Sequence, residues 1–71
     1  LPISIGPRAV ISPGCEVAAG AEVRDSVLLD GCAVGAGAKV VGSVLAAGVT
    51  VGAGAELDGA VVGRDERVPA P

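Results

Sequence analysis

A chain of 71 residues has room for one small domain, and a core of that size rarely supplies more than about 3–5 kcal/mol, so something should supplement it. The composition is 51% hydrophobic, yet it holds no Phe, Tyr, Trp or Met and 12 glycines, which excludes an ordinary globular core and points to a narrow interior filled by Val, Leu, Ile and Ala. A net charge of −3 with interspersed signs gives no basic patch for nucleic acid or an anionic membrane, the absence of His removes any zinc pattern, and two cysteines are too few for a disulfide framework.

No apolar run approaches the roughly 18 residues of a spanning helix, and no charged leader precedes an apolar stretch, so a cytoplasmic location is expected. The chain begins at Leu1 rather than Met and reads as a piece of a longer polypeptide or a processed one.

In chain order, the aliphatic residues that open each short unit are Ile5, Ile11, Val17, Val23, Leu28, Val34, Val40, Leu45, Val51, Leu57, Val62 and Val68. The steps are six residues, with five-residue steps at Val23 to Leu28, Val40 to Leu45 and Leu57 to Val62. Three units make one turn, giving coils 5–22, 23–39, 40–56 and 57–71 in a single domain over residues 1–71. Aligning 23–39 with 40–56 gives ten identities in 17 positions, and VGAGAK at Val34 to Lys39 returns as VGAGAE at Val51 to Glu56. Such a repeat fixes the architecture before any local propensity does.

A period of six turns successive aliphatics by about 600° on a helix, so they cannot share one face. Short strands with tight turns fit instead. A strand alternates its side chains, so the residue two before each aliphatic should also face inward: Ile3, Ala9, Cys15, Ala21, Ser26, Cys32, Ala38, Ser43, Val49, Ala55, Ala60 and Glu66. All but Glu66 are aliphatic or small. Gly14, Gly31 and Gly48 share one column and Gly20, Gly37 and Gly54 another, each at a turn that needs a positive φ; Asp65 takes the glycine's place in the last turn.

The candidate chemical motifs all have a structural reading. The G-x-G of VGAGA recurs at each turn rather than between a strand and a helix, so it reads as corners and not as a phosphate cradle. Cys15 and Cys32 fall in one inward column and read as small buried apolar residues that stay reduced, because parallel side chains keep their Cβ atoms wider apart than a disulfide uses. Glu22, Lys39 and Glu56 form an outward charge ladder, worth about 0.2–1 kcal/mol per pair. Arg24-Asp25 and Arg64-Asp65-Glu66-Arg67 are charged clusters, the second reading as a polar cap; Pro2 and Pro69 with Pro71 would blunt open strand edges. No residue is assigned a catalytic, cofactor-binding or metal-binding role, and no cofactor is expected.

The aliphatic–Gly–x–x–small–x units, with Ile5-Gly6, Val34-Gly35, Val51-Gly52 and Val62-Gly63 as opening pairs, resemble the hexapeptide repeat of left-handed parallel β-helices. The resemblance covers Ile5 to Val68. It implies an all-β, single-stranded left-handed solenoid of about four triangular coils, the opposite hand to an ordinary crossover. The five-residue units VRDSV and VVGSV, each followed by Leu, resemble coils in the C-terminal domains of sugar-1-phosphate nucleotidyltransferases. GDP-mannose pyrophosphorylases (mannose-1-phosphate guanylyltransferases) and ADP- or dTDP-glucose pyrophosphorylases are the nearest kinds. That resemblance implies a non-catalytic structural and oligomerisation domain beside a Rossmann-like catalytic domain in the parent chain. The Gly-rich nucleotide loop and metal-binding carboxylates of that domain have no positions in this sequence. The Ala/Gly/Val/Arg-heavy usage suggests a GC-rich bacterial source.

Two alternatives stand beside this: a fragment of a hexapeptide-repeat acyltransferase, and a stand-alone structural β-solenoid. The first class typically uses a His general base and a long loop from one coil, neither of which is in this sequence. An ice-binding face needs ranks of Thr, and Thr50 is the only one. Open end turns and the outward aliphatics Val27, Leu29 and Val41 lead to an expected homo-oligomer, dimer or trimer, with lateral packing preferred.

Overall fold

The computed structural model describes residues 3–71, so Pro2, expected to blunt an edge, lies outside the described residues. Twelve strands follow one another: β1 (Ser4–Ile5), β2 (Val10–Ile11), β3 (Glu16–Val17), β4 (Glu22–Arg24), β5 (Val27–Leu28), β6 (Ala33–Val34), β7 (Lys39–Val41), β8 (Val44–Leu45), β9 (Thr50–Val51), β10 (Glu56–Asp58), β11 (Val61–Val62) and β12 (Arg67–Val68). Every third strand stacks on the last, giving three parallel sheets: β1-β4-β7-β10, β2-β5-β8-β11 and β3-β6-β9-β12. The chain is therefore an all-β solenoid of about four turns, and no helix occurs among the described residues.

The register places the predicted aliphatics opposite one another. Ile5, Val23, Val40 and Leu57 stack in the first sheet. Ile11, Leu28, Leu45 and Val62 stack in the second, and Val17, Val34, Val51 and Val68 in the third. With the second inward column they form the core: Ala21, Val23, Leu28, Cys32, Val34, Ala38, Val40, Leu45, Val49, Val51, Ala55 and Val62 are buried. Each fully buried Val or Leu stabilises the fold by roughly 1.5–3 kcal/mol, so the middle two coils hold most of the stability. The end coils have a neighbour on one side only. Ile3 and Ile5 are consequently exposed, although the pattern assigns both to the interior, and Glu66, the one charged residue in that pattern, is exposed as well.

Six-residue units close their corners with a β-turn. Ala38 N–H donates to the Gly35 carbonyl at 3.2 Å, with Gly37 at φ 69°, and five of the seven other six-residue corners repeat this bond. A positive φ at the third residue is the type II signature. Asp65 stands in that place at φ 57°, as its position in the repeat predicts. The corner glycines also join successive coils, Gly54 N–H donating to the Ala36 carbonyl at 2.8 Å. Gly35 and Gly52 have a different reason to be glycine. A Cβ on Gly35 would lie 2.5 Å from Ala53 N, and one on Gly52 would lie 2.5 Å from Ala70 N, so the chain of the next coil occupies their side-chain space.

Candidate functional site

The five-residue corners are built differently, and their serines explain how. One residue fewer leaves no turn carbonyl for the residue that closes the corner. The Ser26 hydroxyl donates to the Arg24 carbonyl at 2.8 Å and accepts from Ser43 N–H in the next coil at 3.1 Å. Ser43 repeats this, donating to the Val41 carbonyl at 3.0 Å and accepting from Ala60 N–H at 3.1 Å. Both serines are buried, and among the described residues no buried side-chain polar atom lacks a partner. The sequence marked them only as small inward residues. Their recurrence at the same place in each shortened unit was the available signal.

A third corner column, Arg8, Asp25, Gly42 and Gly59, also has positive φ throughout, at 61°, 51°, 60° and 69°. The glycine spacing alone missed it, because its first two members are charged. Those two meet: Arg8 Nε donates to Asp25 Oδ1 at 2.5 Å, a contact between adjacent coils. Through that hydrogen bond first, Arg8 holds the Asp25 carboxyl below its ordinary range, and Asp25 in turn raises the Arg8 guanidinium.

The predicted charge ladder has the predicted register, with Glu22 opposite Lys39 and Lys39 opposite Glu56. The side chains do not close into ion pairs. Among the described residues Arg8–Asp25 is the only pair within 4.0 Å, so the ladder is a solvated face, not a linked network.

Both cysteines are free. Cys15 Sγ donates to the Leu29 carbonyl at 3.1 Å and Cys32 Sγ to the Ala46 carbonyl at 3.1 Å, so each thiol is tied to the corner backbone of the next coil, just past β5 and β8. Burial pushes the Cys32 thiol up, and the neighbouring Cys15 adds to the rise. A raised thiol is a poor nucleophile at neutral pH. The G-x-G glycines sit at corners, as their recurrence predicts. Among the described residues no pocket opens and no group of three metal-ligating side chains converges.

What the solenoid offers to a partner is its three flat outer faces. The first carries Ser4, Glu22, Lys39 and Glu56, and the third Glu16, Ala33, Thr50 and Arg67. The second differs: Val10, Val27, Val44 and Val61 stack in one outward column. Sequence reading had picked out Val27, with Leu29 and Val41, and missed the other three valines of the ladder.

A parallel solenoid whose shortened corners are closed by x-x-Ser-Val units is the architecture the sequence resemblance implied. Residues 2–70 match the family described as the GMPPB C-terminal domain. The chain belongs to that family. Membership in the GMPPB C-terminal domain family makes this a sugar-1-phosphate nucleotidyltransferase-like C-terminal domain, as the VRDSV and VVGSV units suggested. No curated protein and no solved structure gives a significant match to the chain.

Proposed function

We propose that this GMPPB C-terminal domain is the non-catalytic structural and assembly domain of a sugar-1-phosphate nucleotidyltransferase, and that the product of its parent enzyme is GDP-mannose. The observation that supports this most is the family match over residues 2–70. The interior agrees with a mechanical role: Leu28, Leu45, Val23, Val40, Val49 and Val51 are fully buried in it. A nucleotide site usually draws on a concave, largely apolar pocket with a few convergent polar groups. Here the titratable side chains with resolved perturbations are a corner ion pair at the surface and a buried thiol. The domain's contribution is rigidity and surface, holding catalytic domains in a fixed arrangement.

The test is made on the polypeptide that carries this sequence in its native source. Captured with an antibody to residues 3–71, it should transfer a guanylyl group from GTP to mannose-1-phosphate. Acyl transfer from a CoA thioester without nucleotidyl transfer would overturn the assignment in favour of a hexapeptide acyltransferase. Calorimetry of the 71-residue chain with GTP, ATP, dTTP or mannose-1-phosphate should give no heat above buffer.

A further inference from the structure

We propose that Cys15 and Cys32 form a two-coordinate site for a soft cation of the Cu(I), Ag(I) and Hg(II) kind, which on binding staples the first coil to the second. The two cysteines hold the same place in successive coils, since Glu16 pairs with Ala33 and the Glu16 N–H donates to the Cys32 carbonyl at 2.8 Å. Their side chains also lie alike. Each Sγ sits 3.1 Å from the carbonyl of the residue 14 positions further on, Leu29 for Cys15 and Ala46 for Cys32. Two thiols held in the same pose are one coil spacing apart, about 4.8 Å. They also face each other closely enough for Cys15 to help push the Cys32 thiol up.

That spacing excludes a disulfide, whose S–S bond is about 2.05 Å, and suits a metal bridge. A thiolate–metal bond of about 2.3 Å on each side gives a collinear S–M–S span of about 4.6 Å. The ion lies on the line between the sulfurs and needs no cavity, in keeping with a structure in which no pocket opens among the described residues. The column supplies two ligands and stops, because Val49 holds the next place. No group of three metal-ligating side chains converges among the described residues, so Zn(II), which takes four ligands, is not served. Soft cations bind thiolates without that requirement. Cys15 is half-buried in the open first coil and gives the way in, with Cys32 buried behind it.

The binding step exchanges protons for the ion. Two S–H bonds break, two S–M bonds form and two protons leave to water, with no change of oxidation state. The two S–H···O contacts go with the protons, and thiols are weak donors. The Hg(II) bridge is neutral, whereas a monovalent ion leaves one negative charge, so the divalent ion suits the apolar interior better. The consequence is mechanical. No residue from 3 to 20 is buried, whereas the second coil holds Val23, Leu28 and Cys32 in the core. The ion thus ties the least buried coil to a well-packed one. An unfolded chain must close the loop from Cys15 to Cys32 before it can chelate, and the folded chain has already closed it, so the ion favours the folded state.

Titration of the reduced 71-residue chain with Hg(II), read by native mass spectrometry and alkylation, tests this. One ion should bind per monomeric chain with loss of two hydrogens, and neither cysteine should then react with N-ethylmaleimide. X-ray absorption should find two sulfurs at about 2.3 Å. The melting temperature should rise by about 5 °C or more. Zn(II) in about tenfold excess should neither bind nor displace Hg(II). Cys15→Ala and Cys32→Ala should each bind Hg(II) about a hundredfold more weakly against a competing monothiol, and should lose the melting shift. Circular dichroism confirms folding, and Cys15→Ala, at the half-buried position, carries the test if Cys32→Ala unfolds. The proposal is overturned by two ions per chain, by an ion that bridges two chains, by a Cys32 that still alkylates or by an unchanged melting temperature. A Cys15→Ala variant that binds as tightly as wild type also overturns it. Zn(II) competing on equal terms overturns the two-coordinate geometry.

Discussion

Ser43 shows how one hydroxyl can stand in for a missing residue of backbone. Its oxygen closes its own corner by bonding the Val41 carbonyl and supports the coil above by accepting from Ala60 N–H. Ser43→Ala leaves that N–H unpaired inside the molecule, and an unsatisfied buried donor costs about 1–3 kcal/mol. Urea unfolding should therefore show Ser43→Ala destabilised by that amount, and Ser26→Ala similarly, whereas Ser4→Ala on the exposed edge should stay within about 0.5 kcal/mol of wild type. The cysteines are read by alkylation. Cys15 is half-buried and Cys32 is buried with its thiol pushed up, so intact-mass measurement should find Cys15 modified first. The oxidised protein should still carry no Cys15–Cys32 bridge.

The Asp25 carboxyl is depressed by Arg8 in the folded state, so the contact contributes stability above the unfolded carboxylate value. That contribution is lost as pH falls through the lower folded value. Arg8 is raised and stays charged over the same range. In thermal melts from pH 7 down to pH 2, Asp25→Asn should remove part of the acid-side slope. Arg8 is exposed and Asp25 half-buried at the surface, where solvent screens the pair, so the effect is small.

At the scale of the coil, geometry makes one side of each corner intolerant and the other adaptable. Gly35→Ala drives a methyl into the Ala53 backbone, whereas a Cβ on Gly37 meets nothing within 4 Å and bears only its φ of 69°. Overpacking against backbone costs about 1–3 kcal/mol or more. The left-handed conformation costs roughly 1–2 kcal/mol, and less for Asn. The expected order of melting temperatures is Gly37→Asn above Gly37→Ala above Gly35→Ala. Similarly, Ala38 is fully buried and Lys39 is exposed, so Ala38→Leu should destabilise more than any change at Lys39. Equal melting temperatures would contradict the inward assignment.

As a whole, the molecule is a squat prism: its Cα atoms span 28 × 26 × 22 Å, about as wide as tall. Each coil touches only the coils above and below, so stability should grow roughly by nearest-neighbour increments. Inserting a second copy of residues 40–56 after Glu56 should raise the melting temperature and keep a β-rich circular dichroism spectrum. Inserting the same segment one residue short should not, because a one-residue slip turns the inward columns outward. A shortened insert that melts as high as the full one would show that register is not what holds the coils together.

The 17-residue period by itself determined the strands, the three inward columns and two of the three glycine corners. Those features repeat once per coil, and side-chain alternation within a strand is local. The same period identified the Ser-Val units that connect the chain to its family. Only the tertiary structure decided what those residues touch. Arg8 and Asp25 are 17 residues apart and do not match in type, so nothing in the repeat pairs them; stacking does. The Glu22/Lys39/Glu56 column had the composition of an ion-pair ladder, yet long solvated side chains are not held together by register alone. The Val10/Val27/Val44/Val61 ladder was present in the letters at a spacing of 17, but an outward valine is informative only once no other element is seen to cover it. Periodicity encodes direction relative to the coil axis, whereas contact depends on the coils above, below and beside a residue, which exist only after the chain has wound.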